Sequence, residues 1–165
     1  MNSGTIDATP VERVLAAVEA GVAELITVLR EGGLDHHDQA GLLMLLDRTE
    51  VVRNQWQAVD AELLATCRDR KIAERECQRS MAKVLERRCL VTPGEAKRRV
   101  LAADATGPRE TPTGLPMPRL RDHLSAAMEV GAITAQQVVE VNKTLNQLDQ
   151  AGVHPNQVED VENET

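Results

Sequence analysis

The chain has 165 residues, is 42% hydrophobic and carries a formal net charge of −7, so it holds too much apolar material to be disordered throughout. Its aromatics are a single Trp with no Phe or Tyr, which leaves Leu, Val, Ala, Ile and Met to fill the core and favours helix-on-helix packing over an aromatic-rich sheet. No run of 18 apolar residues is present to cross a membrane, and the opening MNSGTIDATP lacks the basic and apolar regions of a secretory signal.

Thr9-Pro10-Val11-Glu12 predicts a helix start, with Thr as N-cap, Pro at the first helical position and Glu three residues after the cap. Val11, Leu15, Val18, Val22, Leu25 and Leu29 then follow at alternating spacings of four and three, a coiled-coil-like seam that Gly32-Gly33 terminates. A second helix, capped by Asp35 or Asp38, carries the seam Leu42, Leu45, Thr49, Val52, Trp56, Val59 and Leu63, widened by Leu43, Leu46 and Leu64. No Gly or Pro interrupts it between Leu42 and Lys71, so it runs for about 30 residues. The short connection predicts that these two helices form an antiparallel hairpin or offer their seams to a partner chain.

A third helix is expected near Glu74–Arg87, burying Cys77, Met81, Val84 and Leu85. Thr92-Pro93-Gly94-Glu95 repeats the first helix start and opens a fourth helix to about Ala105, with Ala96, Val100, Leu101 and Ala103 inward. Residues 106–118 hold four prolines and two glycines and read as a loop. A fifth helix from about Arg119 to Val130 turns Leu120, Leu124, Ala127 and Met128 inward and stops at Gly131. Thr134-Ala135-Gln136-Gln137 opens a sixth, with Val138, Val141, Leu145 and Leu148 on one side and Ala151-Gly152 as its end. No segment alternates convincingly with a period of two. The expected fold is therefore all-α: a long antiparallel helical hairpin plus a compact helical bundle, about six helices. Its expected divisions are a flexible tail at 1–8, the hairpin at 9–70, the bundle at 71–152 and an acidic tail or truncated helix at 153–165.

Candidate chemistry is sparse. His36 and His37 between Asp35 and Asp38 resemble a metal cluster on paper. Adjacent histidines on a helix point about 100° apart, however, so an exposed helix N-terminus is the better reading and no metal or other cofactor is expected. Cys67, Cys77 and Cys89 are odd in number and lie 10 and 12 residues apart, which fits reduced thiols in a cytoplasmic protein. No nucleophile motif or phosphate-binding glycine loop is present, so no enzyme activity is expected.

Charge is the one strong asymmetry. Residues 68–99 hold eleven of the 19 Lys and Arg residues and five of the 26 acidic ones, a net +6 between two acidic flanks. Arg87, Arg88, Lys97, Arg98 and Arg99 gather near the joint of the third and fourth helices and form a candidate contact for DNA phosphates. The shortage of aromatics argues against base stacking, leaving the duplex backbone as the natural nucleic-acid partner. The competing reading is that these cations dock the chain's own acidic helices. The second-helix seam of Leu42, Leu45, Val52, Trp56, Val59 and Leu63 is the matching candidate for dimerisation or for docking another protein.

The run from Leu90 to Ala103, LVTPGEAKRRVLAA, resembles the L-T/S-x-x-E-A-x-R-R-V-x-x-A segment of the actinobacterial 13E12 repeat proteins. Leu120 to Val138, LRDHLSAAMEVGAITAQQV, resembles that family's L-x-x-A-L-x-x-G-x-I/L-x-x-x-H/Q-V segment, and the likeness extends over roughly 38–148. The resemblance implies an all-helical domain of unknown function, common in mycobacteria, sometimes in phage-related or mobile settings, and often continuing into a C-terminal HNH nuclease. These residues contain no zinc-knuckle cysteines or His-Asn-His constellation, so the nuclease activity is not expected of them. The leading expectation is a non-enzymatic helical module of DNA transactions that contacts phosphates. The alternative is a protein-interaction or regulatory module, a helical dimer or docking domain without nucleic-acid contact.

Overall fold

The computed structural model describes residues 8–150, and the fold is all-α. Its helices are α1 (Pro10–Arg30), α2 (Gln39–Asp69), α3 (Ile72–Arg75), α4 (Met81–Arg88), α5 (Pro93–Thr106), α6 (Asp122–Glu129) and α7 (Ala135–Gln150). Between α5 and α6 the Pro-rich loop closes on itself through two short antiparallel strands, β1 (Arg109–Glu110) and β2 (Pro116–Met117), with Arg109 opposite Met117. The chain divides into two units, Met1–Leu46 and Asp47–Thr165, with the boundary inside α2. The expected tail at 1–8, Ala8 apart, the helix stop at Ala151-Gly152 and the acidic segment at 153–165 fall outside the described residues.

The helix starts follow the local chemistry of the sequence. Thr9 accepts a bond from the Glu12 N–H, and the Glu12 carboxylate accepts from the Thr9 N–H at 2.7 Å, a complete capping box. Asp38 caps α2 through the Gly41 N–H at 2.8 Å, Thr92 caps α5, and Thr134 with Gln137 caps α7 reciprocally. Each satisfies backbone donors that the first helical turn leaves open. Gly32, at φ 90°, ends α1 by letting the Gly33 N–H return to the Val28 carbonyl at 2.9 Å.

In the first unit no described residue is buried. The α1 seam runs from 39% exposed at Val18 to 69% at Val11.

The second unit is organised around α5, whose Ala96, Ala102, Ala103 and Ala105 are buried. Side chains this small let neighbouring helices approach closely. One cluster joins Ala102 and Ala105 to Leu124 and Met128 of α6 and to Ile133, Ala135 and Val138 around α7. The other joins Ala96 and Ala103 to Ala61 and Leu64 of α2 and Leu85 of α4. Gly107 marks a close approach of α5 to α2: a Cβ there would stand 2.6 Å from the Ala103 carbonyl and 2.8 Å from the Ala65 Cβ.

Four sequence expectations are corrected. The helix expected over 74–87 is two helices, α3 and α4, which raises the helix count from six to seven among the described residues. Cys77 adopts φ 52° as the Gln78 N–H closes back on Ala73, and Ser80 caps a fresh start through Lys83. This turn leaves Cys77 exposed rather than in the core. Leu101 is 39% exposed while Ala102 and Ala105 take the inward positions. Leu120 is likewise 43% exposed because α6 begins only at Asp122, and it is Arg121 that is buried.

Candidate functional site

The basic segment is distributed over the end of α2, all of α3 and α4, and the first half of α5. Five of its eleven cations are held in ion pairs. Arg68 bonds Asp69 and Asp104, both at 3.1 Å. Lys83 holds Glu86, Arg88 holds Glu76 at 2.9 Å, and Arg98 holds Glu95. Arg99 bonds Glu95 at 2.8 Å and reaches across to Asp60 of α2 at 3.2 Å.

Burial sets the electrostatics of these contacts. It pushes the Asp60 carboxyl above its ordinary value, an effect that the Arg99 charge opposes. At Arg68 burial works against the charge, but hydrogen bonds to Asp69 and Asp104 outweigh it and hold the guanidinium pKa above normal.

Of the five residues expected to meet phosphates, Arg88, Arg98 and Arg99 are thus engaged by carboxylates. Arg87 and Lys97 are exposed and have no ion-pair partner among the described residues. Arg70, Lys71, Arg75 and Arg79 share that condition, and four of these six unpaired cations lie in the stretch between α2 and α4. The positive φ of Lys71 (54°) and Cys77 (52°) is what turns this short stretch, a feature no propensity signal at those residues announces.

The second candidate is the outer face of α2. Within the second unit Val52 is 62% exposed, Trp56 42%, Val59 43% and Leu63 53%, while Asn54, Ala61, Leu64 and Ala65 on the opposite side are buried. Leu42 and Leu45, in the first unit, are exposed and half-buried respectively. A helix that is apolar on both faces is normally covered on both. Beside the Val59 edge opens a hollow of about 350 Å³, floored by Ala58 and Met128 and rimmed by Gln55, Glu62, Arg119 and Glu129. Arg119 holds Glu62 at 2.6 Å across that rim.

Sequence reasoning missed the polar clamp that orders this unit. The buried Arg121 guanidinium donates to Asn142, Asn146 and Asp149, each at 3.1 Å, tying the start of α6 to the side of α7. The three acceptors recur at four- and three-residue spacing, the one trace of this arrangement in the sequence. Among the described residues no group of three or more His, Cys, Asp or Glu side chains is placed to hold a metal ion. Asp38 is occupied as a helix cap. Among the described residues no helix is long and apolar enough to cross a membrane.

Comparison with known proteins gives a family but no activity. Residues 43–164 match the family model described as a domain of unknown function, DUF222. Uncharacterized proteins of Mycobacterium bovis and Mycobacterium tuberculosis are 31% identical over 140 residues, covering 85% of this chain. The match covers 30% of those relatives' own length. No solved structure matches.

Proposed function

The chain belongs to the DUF222 family, and from that premise we propose that it is a non-enzymatic helical docking module whose exposed α2 face takes an apolar protein surface. One observation carries the reading: Val52, Trp56, Val59 and Leu63 stand outward on a helix whose opposite side is already in the core. Contiguous apolar surface of this kind, flanked by a hollow, suits a partner's anchor side chains. Trp56 sits within it as the only tryptophan and so reports on its own surroundings. As the partner covers the face, Trp56 emission should shift to the blue, and Val59→Glu should abolish both the shift and the complex. Association that leaves the Trp56 emission unmoved would remove α2 from the interface.

A second reading is favoured by the six cations of the basic segment that have no ion-pair partner among the described residues: the module serves DNA transactions and contacts duplex phosphates. The resemblance to 13E12 repeat proteins, which are linked to HNH nucleases, supports the same direction. In this reading Arg87 and Lys97 act together with Arg70, Lys71, Arg75 and Arg79, and the carboxylate-held Arg88, Arg98 and Arg99 contribute less. The overall charge of −7 opposes such binding at long range. Fluorescence anisotropy of a labelled duplex at several salt concentrations separates the two readings. Phosphate contact gives saturable binding that weakens log-linearly with salt, by a slope of about 0.9 per contact; a docking module gives none.

A further inference from the structure

We propose that α1 is a self-association element, its apolar face an interface with α1 of a second copy of this chain running antiparallel to it. The inference rests on the docking reading above but concerns a different helix. The nine large apolar residues of α1, from Val11 to Leu29, are each 39–69% exposed. At 100° per residue they fill one arc about 160° wide, while Glu12, Arg13, Glu19, Glu24 and Thr27 lie outside it. That face presents several hundred Å² of apolar surface, the order of area that a standard interface takes from each partner.

The seam says which occupant fits. Its spacings read the same in both directions, 4-3-4-3-4, with the midpoint at Ala20. Set antiparallel about that midpoint, Val11 meets Leu29 of the second copy, Leu15 meets Leu25 and Val18 meets Val22, so every seam residue finds an apolar counterpart. Gly21 lies next to the crossing point, and a Cβ there would meet nothing within 4 Å among the described residues. A glycine in mid-helix weakens the helix unless a close approach uses it.

Charge favours the same arrangement. Glu12 and Arg30 stand 18 residues apart, five helical turns, and so share one flank of the arc. Antiparallel pairing brings Glu12 of each copy beside Arg30 of the other and opposes the helix dipoles, whereas parallel pairing aligns the dipoles. Glu19 supplies the one like-charge contact, near its own counterpart at the crossing.

The test uses the full chain with its three cysteines replaced by serine, and with either Val11→Cys or Leu29→Cys added. Mixed and mildly oxidised, the two versions should give mainly the 11-to-29 disulfide, with sedimentation showing a dimer. Leu15→Glu with Leu25→Glu should weaken the dimer at least tenfold without changing the thermal unfolding of residues 47–150. Glu19→Gln should tighten it severalfold. A chain that stays monomeric at 100 µM overturns the proposal, as does a preference for the 11-to-11 disulfide. A dimer indifferent to Leu15→Glu and Leu25→Glu but dissolved by Val59→Glu also overturns it, while leaving docking through α2 standing.

Discussion

In α1, Leu15, Val22, Leu25 and Leu29 stand 42–53% exposed, whereas Leu124, Met128, Val138 and Leu145 of α6 and α7 are 0–1% exposed. The residue types are nearly the same, and so are the capping boxes that open α1 and α7. What differs is the company. Around α5 a run of buried alanines and Gly107 lets α2, α4, α6 and α7 close in on it. The described residues of the first unit offer its seam no such surface. An amphipathic stripe specifies that a helix face is to be covered, but not by what.

The largest expected effect separates the two regions by core deletion. Leu124→Ala should cost about 3 kcal/mol, as truncation at a fully buried site does, and lower the melting temperature by roughly 10–20 °C. Leu15→Ala, measured by thermal circular dichroism at a concentration too low for association, should change stability by no more than about 0.5 kcal/mol. Equal costs would show α1 to belong to the same cooperative core and would break the comparison.

Glycines sharpen it. Gly107→Ala forces a methyl group against the Ala103 and Ala61 carbonyls and should destabilise the second unit by about 2 kcal/mol in urea unfolding. Gly21→Ala meets open space and removes a mid-helix glycine, so the isolated chain should gain about 0.5–1 kcal/mol of helix stability. A loss at Gly21 in the monomer would mean that the α1 surface is already in use.

The effects of pH have opposite signs in the two regions. The Glu12 carboxyl is held below its ordinary value by bonds from the Thr9 N–H and hydroxyl. Its contribution to the start of α1 is therefore present above the usual carboxylate range and lost as pH falls through the lowered value. Asp60 is raised by burial, so its contribution is fullest at low pH and declines as pH rises through the raised value. Arg99→Gln removes the charge that restrains this rise. The variant should be about 1 kcal/mol less stable than the parent at pH 7, and the gap should close as the pH falls through the raised Asp60 value and the carboxyl takes up its proton. Hydrogen exchange of the first α1 turn and urea midpoints between pH 4 and 7 follow the two regions separately.

The sequence by itself determined the helical class and most helix boundaries, because caps and terminating glycines act within four residues: Thr9, Asp38, Thr92 and Thr134 all cap as their neighbours dictate. It also marked the basic segment and the two seams, since charge and apolar spacing are properties of the chain alone. Only the tertiary structure decided which of those features are spent. Arg99 is drawn to Asp60, 39 residues away, while Arg87 is left without a partner among the described residues. Arg121 is buried in place of Leu120 because three acceptors on α7 converge on its guanidinium. The chain turns at Cys77 and restarts at Ser80, where an uninterrupted helix would otherwise run. Contacts between residues far apart in the chain settle these matters, and no local pattern encodes the distance between two helices.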